Sequence, residues 1–143
     1  MDVKNKRVVV TGAASGIGKA LCEAFHQAEA QSVIAVDMNL DGAQETADSV
    51  DGIAVQANVG NEKDIIHVIQ KADEHVGGTD IFCSNAGIGG VPGFFEVEAS
   101  DWQNIWDVNV QSHIFAAKHV LPQMIERGEG YLVNTSSAAG LLT

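Results

Sequence analysis

Three glycines recur within seven residues near the amino terminus, and this turn restricts the possible folds more than any other feature. The segment reads Thr11-Gly12-Ala13-Ala14-Ser15-Gly16-Ile17-Gly18 and joins a β-branched run to a helical pattern. Between a strand and a helix, such a turn indicates a dinucleotide-binding βαβ unit. A tight turn without a ligand is the alternative.

Each glycine of that turn has an expected task. We expect Gly12 to allow the sharp bend out of the strand, Gly16 to let a pyrophosphate approach the backbone, and Gly18 to let the helix pack against the sheet. The start of the helix also offers free N–H groups and the positive end of its dipole to the phosphates. The predicted phosphate-binding residues are therefore Gly12, Ser15, Gly16, Ile17 and Gly18.

Short apolar runs alternate with helical patterns along the chain. Strands are predicted over 7–10, 32–36, 52–57, 80–84 and 130–135, and helices over 17–28, 40–50, 62–76 and 100–125. Strands separated by helices of this length form a parallel sheet, and wholly apolar strands indicate that both of its faces are covered. The sequence therefore predicts one α/β domain, 1–143, with a Rossmann-type, doubly wound parallel sheet of about five strands in the order 3-2-1-4-5.

Several local details are predicted with these elements. Ser100 to Gln103 resembles a capping box that opens the longest helix. Pro122 should bend or end the last turn of that helix, because its ring clashes with a preceding carbonyl. Ile17 is expected on the apolar face of the first helix, and Leu40 on the inner face of the second.

Asp37 ends the second predicted strand, 19 residues after Gly18. This spacing places a carboxylate where the adenosine ribose of a dinucleotide lies, and a carboxylate there binds the ribose hydroxyls and repels a 2′-phosphate. Met38 and Asn39 supply no positive charge for such a phosphate. We therefore predict NAD rather than NADP as the cofactor. An acid that only caps the next helix is the alternative.

The chain carries 19 acidic and 8 basic residues, a net charge of −11. This charge disfavours nucleic acid and anionic membranes as partners, and no apolar run approaches the length of a membrane span. The segment before the first strand lacks the apolar core of a signal peptide, so we expect a cytoplasmic protein. Cys22 and Cys83 lie in apolar segments and are predicted to be buried thiols, and no metal site is predicted.

The glycine spacing G-x-x-x-G-x-G and three later motifs resemble the short-chain dehydrogenase/reductase family. Asn85-Ala86-Gly87, after the fourth strand, looks like that family's N-A-G motif, and Asn109 matches its helix asparagine. The segment 134–140 (Asn-Thr-Ser-Ser-Ala-Ala-Gly) looks like the strand-five motif that carries the catalytic serine, which we place at Ser137. The resemblance extends over the whole chain.

The resemblance implies several cofactor contacts. Thr11 and Asn85 would tie strands one and four together, and Ala86 and Gly87 would leave room for the cofactor. Asn58 and Val59 match positions that touch adenine, with asparagine where the family usually has aspartate. An asparagine side chain can still accept a hydrogen bond from the adenine amino group.

The resemblance also implies two catalytic roles. Ser137 would hold and polarise the substrate carbonyl or hydroxyl, and Asn109 would hold a water in a proton relay. Each residue also has a structural interpretation. Ser137 alone could cap a turn, Asn109 could be a hydrogen-bonded polar group within its helix, and Asn85 could satisfy only loop backbone.

The family's chemistry implies a Tyr-x-x-x-Lys pair, which these residues lack. Tyr131 is the single tyrosine, Thr135 stands four residues further on, and no lysine follows Lys118. We therefore expect the catalytic tyrosine and lysine to lie beyond the given sequence, with Thr143 not the natural end. The 143-residue chain alone is then expected to be inactive.

The leading hypothesis is an NAD-dependent oxidoreductase that moves a hydride between the cofactor and an alcohol or ketone substrate. A non-catalytic NAD-binding module is one alternative, and a mononucleotide-binding domain with strand order 2-1-3-4-5 is another. The resemblance implies a homo-oligomer, either dimer or tetramer, and Trp102, Trp106 and Phe115 are candidates for its contact face. The loop 88–98, which includes Val91 and Phe94, is expected to border the substrate site.

Overall fold

Strands and helices alternate through residues 2–90, 93 and 95–138, which are the residues that the computed structural model describes. The strands are β1 (Arg7–Thr11), β2 (Ser32–Asp37), β3 (Ile53–Gln56), β4 (Ile81–Ser84) and β5 (Tyr131–Asn134). The helices are α1 (Gly16–Gln27), α2 (Leu40–Ser49), α3 (Glu62–Val76), α4 (Ala99–Trp106) and α5 (Ser112–Arg127), with a π turn, Asp107–Gln111, between the last two. Val91, Phe94, Ala139 and Gly140, named above in the loop and the strand-five motif, lie outside the described residues.

The five strands form one parallel sheet in the order β3-β2-β1-β4-β5. This order confirms the predicted Rossmann-type fold and excludes the alternative order 2-1-3-4-5. β1 lies at the centre, with Val10 level with Ala35 of β2 and Cys83 of β4. The chain changes direction across the sheet between β1 and β4, and ligands of open α/β sheets bind at the carboxyl ends of the strands at such a point.

Alternate strand residues enter two apolar layers, one on each face of the sheet. Val9, Ile34 and Phe82 belong to a layer that includes Ile65 of α3 and Val120 of α5. The other layer is built from Val8, Val10, Val33, Ala35 and Ile81 with Cys22 of α1 and Ala47 of α2. Helices therefore cover both faces, as the continuous apolar strands predict.

Cys22 and Cys83 lie in the second layer as free, buried thiols, which confirms their prediction. Burial away from water raises the pKa of each thiol to about 12, because the charged thiolate is poorly solvated there. Both side chains are therefore protonated at neutral pH and act as small apolar core residues.

Ile17 and Leu40 are among the predicted inner-face residues that lie instead on the surface. Ile17 is 66% exposed, because the buried side of α1 runs through Gly18 and Cys22. Leu40 is 41% exposed, because it is the first residue of α2 and lies before the turn at which Ala43 becomes buried. Both errors fall at a helix start, where the helical repeat alone does not fix the buried face.

The predicted long helix differs from the observed one at its start, middle and end. Its capping box is formed by Glu98 and Asp101, whose Oδ2 accepts from the Glu98 N–H at 2.9 Å, and not by Ser100 to Gln103. The π turn interrupts it at Asp107–Gln111. The helix does not end at Pro122 but continues to Arg127, since packing of Val120 and Met124 in the core outweighs one lost hydrogen bond.

A charged cluster holds the amino ends of β1 and β4 together. The guanidinium of Arg7 donates to Asp80 through Nε at 2.8 Å and through Nη2 at 2.6 Å, and the Arg7 backbone N–H donates to the same carboxylate at 2.9 Å. The hydrogen bonds and charge of Arg7 hold the pKa of Asp80 below its usual value. This cluster lies at the opposite end of the strands from Thr11 and Ser84, where β1 and β4 finish.

Strand β5 has a neighbour only on its β4 side within the described part of the chain. Tyr131 and Val133 are each 39% exposed, unlike the buried residues of β1 and β4, so the expected covering of both faces does not extend to this strand. No described helix is both long and apolar enough to cross a membrane.

Candidate functional site

The glycine turn leaves β1 and enters α1 with a backbone that only small residues allow. Gly12 has φ of +71°, and a Cβ added there would lie 2.9 Å from the Cα of Ala86. A Cβ added at Gly18 would lie 2.0 Å from the carbonyl oxygen of Gly12. Gly12 and Gly18 are therefore required for close packing between the turn, the start of α1 and the loop after β4.

Gly16 differs from these two glycines because nothing lies within 4 Å of the Cβ position that its backbone defines. Its φ is +53°, in the left-handed region. Ser15 precedes it as the N-cap residue of α1, in extended conformation, and its side chain makes no capping hydrogen bond. The first N–H groups of α1 thus remain available beside an open space, which suits a bound anion.

Thr11 and Asn85 join the carboxyl ends of three strands. The Thr11 hydroxyl donates to the Cys83 carbonyl at 3.2 Å and accepts from the N–H groups of Asn85, at 2.9 Å, and Ala86, at 3.1 Å. The Asn85 amide donates to the Thr11 carbonyl at 3.0 Å and accepts from the Thr135 hydroxyl at 3.0 Å. The structure therefore shows the predicted tie between β1 and β4 and extends it to β5.

Asp37 lies at the end of β2 and contacts the glycine turn. Its Oδ2 accepts from the N–H of Ala14 at 3.0 Å, and its Oδ1 accepts from the N–H of Asn39 at 2.9 Å. It does not cap α2, because the N-cap is Asn39, whose side chain accepts from Gly42. The carboxylate is thus fixed in direction, and each oxygen keeps a lone pair for a ligand hydroxyl.

Asn58 and Val59 follow β3 at the same edge of the sheet. The Asn58 side-chain oxygen accepts from the Gly60 N–H at 3.0 Å, and its backbone N–H donates to Asp64 at 2.9 Å. Val59 is buried. The loop is therefore held in place by its own hydrogen bonds, with the Asn58 oxygen already engaged.

Asn109 lies in the π turn and bonds to the loop after β4. Its side-chain oxygen accepts from the N–H of Ile88, and its amide donates to the carbonyl of Ile88, each at 2.8 Å. Asp107 steadies the turn, because its Oδ1 accepts from Gln103 at 2.7 Å and from Gln111 at 2.8 Å. Asn109 is only partly buried, and its side chain bonds to the loop after β4 and not within its own helix.

Two adjoining pockets open at this edge of the sheet. The first, of about 250 Å³, is lined by Gly12, Asp37, Met38, Ala57, Asn58, Val59, Ala86, Gly87, Ile88, Asn104 and Val108. The second, of about 910 Å³, is lined by Ile17, Asn85, Ala86, Gly87, Ile88, Asn109, Val110, His113, Ile114 and residues 134–138. Ala86, Gly87 and Ile88 border both pockets, so one elongated ligand could occupy the two together.

The structure brings most of the predicted site residues to these two pockets. Ser137 lines the second pocket with Asn85 and Asn109, while Gly12, Asp37, Asn58 and Val59 line the first. Gly16 and Gly18 belong to the glycine turn, and Ser15 lies at its exposed surface.

Several lining residues were not predicted from the sequence. Among them are Met38, Ala57, Asn104 and Val108 at the first pocket and Val110, His113 and Ile114 at the second, whereas Ile88 belongs to the loop that was expected to border the substrate site. Asn104 and His113 lie on the long helix at positions that no motif marks. The helical repeat could have placed His113, which follows Asn109 by one turn, on the same face.

Comparisons with known proteins agree with this geometry. The family described as short chain dehydrogenase matches residues 6–143. The relative named glucose 1-dehydrogenase 2, from Bacillus subtilis, is 33% identical over an alignment that covers 95% of this chain and 55% of that protein. This chain thus spans little more than half the length of that relative.

Solved structures share the fold along nearly the whole chain. A protein described as a short-chain alcohol dehydrogenase, from Sinorhizobium meliloti, superposes with a TM-score of 0.92 at 28% identity, covering 99% of this chain and 58% of that one. A protein described as ribose-5-phosphate isomerase, from Brucella melitensis, gives a TM-score of 0.90 at 24% identity, covering 99% and 55%, and shows the fold alone. By sequence motif, family match and fold together, the chain belongs to the short-chain dehydrogenase family.

Proposed function

We propose that this chain is the cofactor-binding part of an NAD-dependent oxidoreductase that acts on an alcohol or ketone. The observation that carries the proposal is the glycine turn, in which the open backbone at Gly16 adjoins the uncapped start of α1. Asp37, bonded to Ala14 of the same turn, supports it. A dinucleotide needs an anion site with a hydroxyl-binding group beside it, and these residues fit that need.

The two pockets divide the proposed cofactor site into halves. The first, beside Asp37, Asn58 and Val59, would take the adenosine half, and the second would take the nicotinamide half and the substrate. The pyrophosphate would lie over Gly16 and the first N–H groups of α1. Ala86 and Gly87, small residues that border both pockets, would leave room for the dinucleotide to pass.

The choice of NAD over NADP rests on Asp37. Its carboxylate oxygens are directed by the N–H groups of Ala14 and Asn39, and their remaining lone pairs can accept ribose hydroxyls. A 2′-phosphate there would meet a negative charge, and like charges in contact are strongly unfavourable. Met38, which lines the same pocket, offers no compensating positive charge.

The reaction we propose joins a hydride transfer to a proton transfer. The glycine turn and Asp37 would hold NAD, which would supply the hydride acceptor for the alcohol carbon, and the hydroxyl proton would pass to a base. Ser137 would bind and polarise the substrate oxygen, since it lines the second pocket. Asn109 would hold a relay water through the second lone pair of its Oδ1 or through a backbone carbonyl of the π turn, because Ile88 already takes one N–H and one lone pair of its side chain.

The general base is proposed to lie outside these 143 residues. Tyr131 is part of β5 and its partner position holds Thr135, so the pair Tyr-x-x-x-Lys is not formed here. We therefore infer that the 143-residue chain binds the cofactor without catalysing turnover.

Calorimetric titration of the 143-residue chain with NADH and NADPH tests the proposal. We expect saturable binding of NADH and binding of NADPH that is weaker by at least about tenfold, because of charge repulsion at Asp37. Asp37→Asn keeps one oxygen acceptor and removes the charge, so it should reduce the difference between the affinities for NADH and NADPH. Absence of saturable NADH binding would contradict the proposal, and equal NADH and NADPH affinities would contradict the cofactor assignment.

A non-catalytic NAD-binding module is the second candidate function, and the missing Tyr-x-x-x-Lys pair is the observation that favours it. The reading frame beyond the codon for Thr143 separates the two candidates. A Tyr-x-x-x-Lys pair encoded there supports the oxidoreductase, whereas a stop codon or a frame without the pair supports the module.

A homo-oligomer is proposed from one exposed face of the long helix. This face, the α4–α5 stripe, consists of exposed apolar residues at near-helical spacing: Trp102, Trp106, Val110, Ile114, Leu121 and Ile125. Trp102 and Trp106 are 56% and 52% exposed and so are not core residues, whereas Phe115 packs partly against the core. Sedimentation velocity should show a dimer or tetramer that Trp106→Glu dissociates. A monomeric wild-type chain would contradict this.

A further inference from the structure

Most of the wall of the adenosine pocket is apolar, and three of its side chains are polar. Met38, Ala57, Val59, Ile88 and Val108 supply the apolar part. The polar side chains are those of Asp37, Asn58 and Asn104. They differ in how many hydrogen bonds they already make within the protein.

The side-chain oxygens of Asp37 and Asn58 already accept hydrogen bonds within the protein. Both carboxylate oxygens of Asp37 accept backbone N–H groups, and the Asn58 oxygen accepts the N–H of Gly60 at 3.0 Å. The exocyclic amino group of adenine is a donor and needs an acceptor. On Asn58, that acceptor is shared with the loop that it holds in place.

The side chain of Asn104 differs from these two in its hydrogen bonds. It lies on α4, one turn before the π turn, is exposed, and its side-chain amide has no hydrogen bond to any other described residue. The backbone around it is fixed, because it is part of a regular helix whose capping box is formed by Glu98 and Asp101. It therefore presents a free donor and a free acceptor to the pocket from a rigid element.

We propose that Asn104 is the residue that recognises the adenine base in this pocket, an inference that rests on the proposed function. The N1 and N6 edge of adenine offers an acceptor beside a donor, and a carboxamide carries the complementary donor and acceptor. Asn104 would donate to N1 and accept from the N6 amino group. Asp37 would bind the ribose, and the apolar residues would contact the faces of the base.

The test uses two dinucleotides that differ only at that edge. NAD presents free N1 and N6 positions, whereas 1,N6-etheno-NAD has both blocked by a two-carbon bridge. Asn104→Leu keeps the side-chain size and removes both hydrogen-bonding groups. Calorimetric titration of the 143-residue chain gives the affinities of both ligands for wild type and variant.

We expect Asn104→Leu to weaken NAD binding by about fivefold to thirtyfold, the effect of one or two lost hydrogen bonds, and etheno-NAD binding by less than about twofold. Asn58→Leu removes the other amide of the same pocket and should not lower the preference for NAD over etheno-NAD. Gln44→Leu, which removes an exposed amide of α2 outside both pockets, is the control and should leave both affinities unchanged. The melting temperature of each variant reports on folding.

Three outcomes would overturn the inference. Unchanged NAD affinity in Asn104→Leu would show that the side chain does not contact the base. Equal weakening of NAD and etheno-NAD binding would show that the substitution disturbs the pocket as a whole and not a contact with the N1 and N6 edge of adenine. A selective loss in Asn58→Leu alone would assign the base to Asn58. If wild type binds neither dinucleotide, the proposed function itself fails, and the inference fails with it.

Discussion

The side chain of Asn109 and the backbone of Ile88 form a reciprocal pair of hydrogen bonds, each 2.8 Å long. Asn109 belongs to the π turn within the long helix, and Ile88 belongs to the loop that borders both pockets. A π turn inserts an extra residue into a helix and is frequent at functional sites. Here it contributes a side chain that fixes a loop from the other side of the crevice.

Removing the Asn109 amide should release that loop. In Asn109→Ala, the N–H and the carbonyl of Ile88 both lose their partner, which should cost about 1–2 kcal/mol and speed hydrogen exchange of the Ile88 amide about tenfold. Exchange measured by NMR at Ile88 checks this. Asn109→Asp keeps an acceptor for the N–H and should preserve more of the protection. Wild-type exchange rates in Asn109→Ala would contradict the role of this pair.

Alanine substitution at Gly16 should separate backbone strain from ligand binding. Gly16 and Gly128 have φ of +53° and +73°, and neither has a neighbour within 4 Å of an added Cβ. Each substitution should therefore cost about 1–2 kcal/mol of unfolding free energy, the cost of the left-handed region for a residue with a Cβ.

Only Gly16→Ala should also lower the affinity for NADH, because only Gly16 lies in the proposed phosphate site. Urea denaturation and NADH titration of both variants measure the two effects. Equal loss of NADH affinity in Gly128→Ala would mean that the effect comes from general destabilisation.

The ion pair between Arg7 and Asp80 should make stability depend on pH in the acidic range. The Asp80 pKa is lowered from 3.8 by hydrogen bonds from Arg7, so the folded state favours the carboxylate. The contribution of Asp80 to the free energy of unfolding is present above about pH 4 and is lost as the pH falls through the lowered pKa. Asp80→Asn should therefore be less stable than wild type by about 1–3 kcal/mol at pH 7, with a smaller difference below pH 3.8.

Urea denaturation between pH 2 and 7 measures that difference, and Glu74→Gln provides the control. Glu74 pairs with Lys71 at 2.7 Å on the surface of α3, and its removal should leave stability almost unchanged at every pH. A constant difference between wild type and Asp80→Asn down to pH 2 would show that charge is not the cause.

The two thiols should be unreactive in the native protein. Cys22 and Cys83 are buried, and their pKa values of about 12 leave almost no thiolate at pH 8. A disulfide reagent such as Ellman's should label them only at the rate at which the protein opens, and both at once in denaturant. Rapid labelling of one thiol in native buffer would show that its segment opens independently of the core.

The fold was predictable because its signals are local and repeated. Each apolar run is bounded by a turn residue or a helical pattern, and the parallel order follows from the intervening helices. The glycine turn was also predictable from the sequence. Gly12 and Gly18 lie so close to their neighbours that no side chain fits at either position, so the fold requires glycine there.

The details of the site depend on contacts between distant segments, which a periodic pattern does not encode. Asn109 could be marked by resemblance, but its bond to Ile88 depends on the π turn, for which the sequence has no signal. Asn104 lines its pocket together with Gly12, Asp37 and Asn58, which come from distant parts of the chain. Ser100 was mistaken for a cap because Glu98 and Asp101 form an unusual capping box with two acids.

The exposure of Trp102 and Trp106 has a spectroscopic consequence. These are both of the tryptophans in the chain, and both lie on the α4–α5 stripe with more than half of their surface in solvent. Indole emission responds to the polarity of its surroundings, so the intrinsic fluorescence of this protein originates at one patch of its surface and not in its interior. The emission wavelength thus reports what covers that patch, while melting of the core between the sheet and its helices must be followed by circular dichroism.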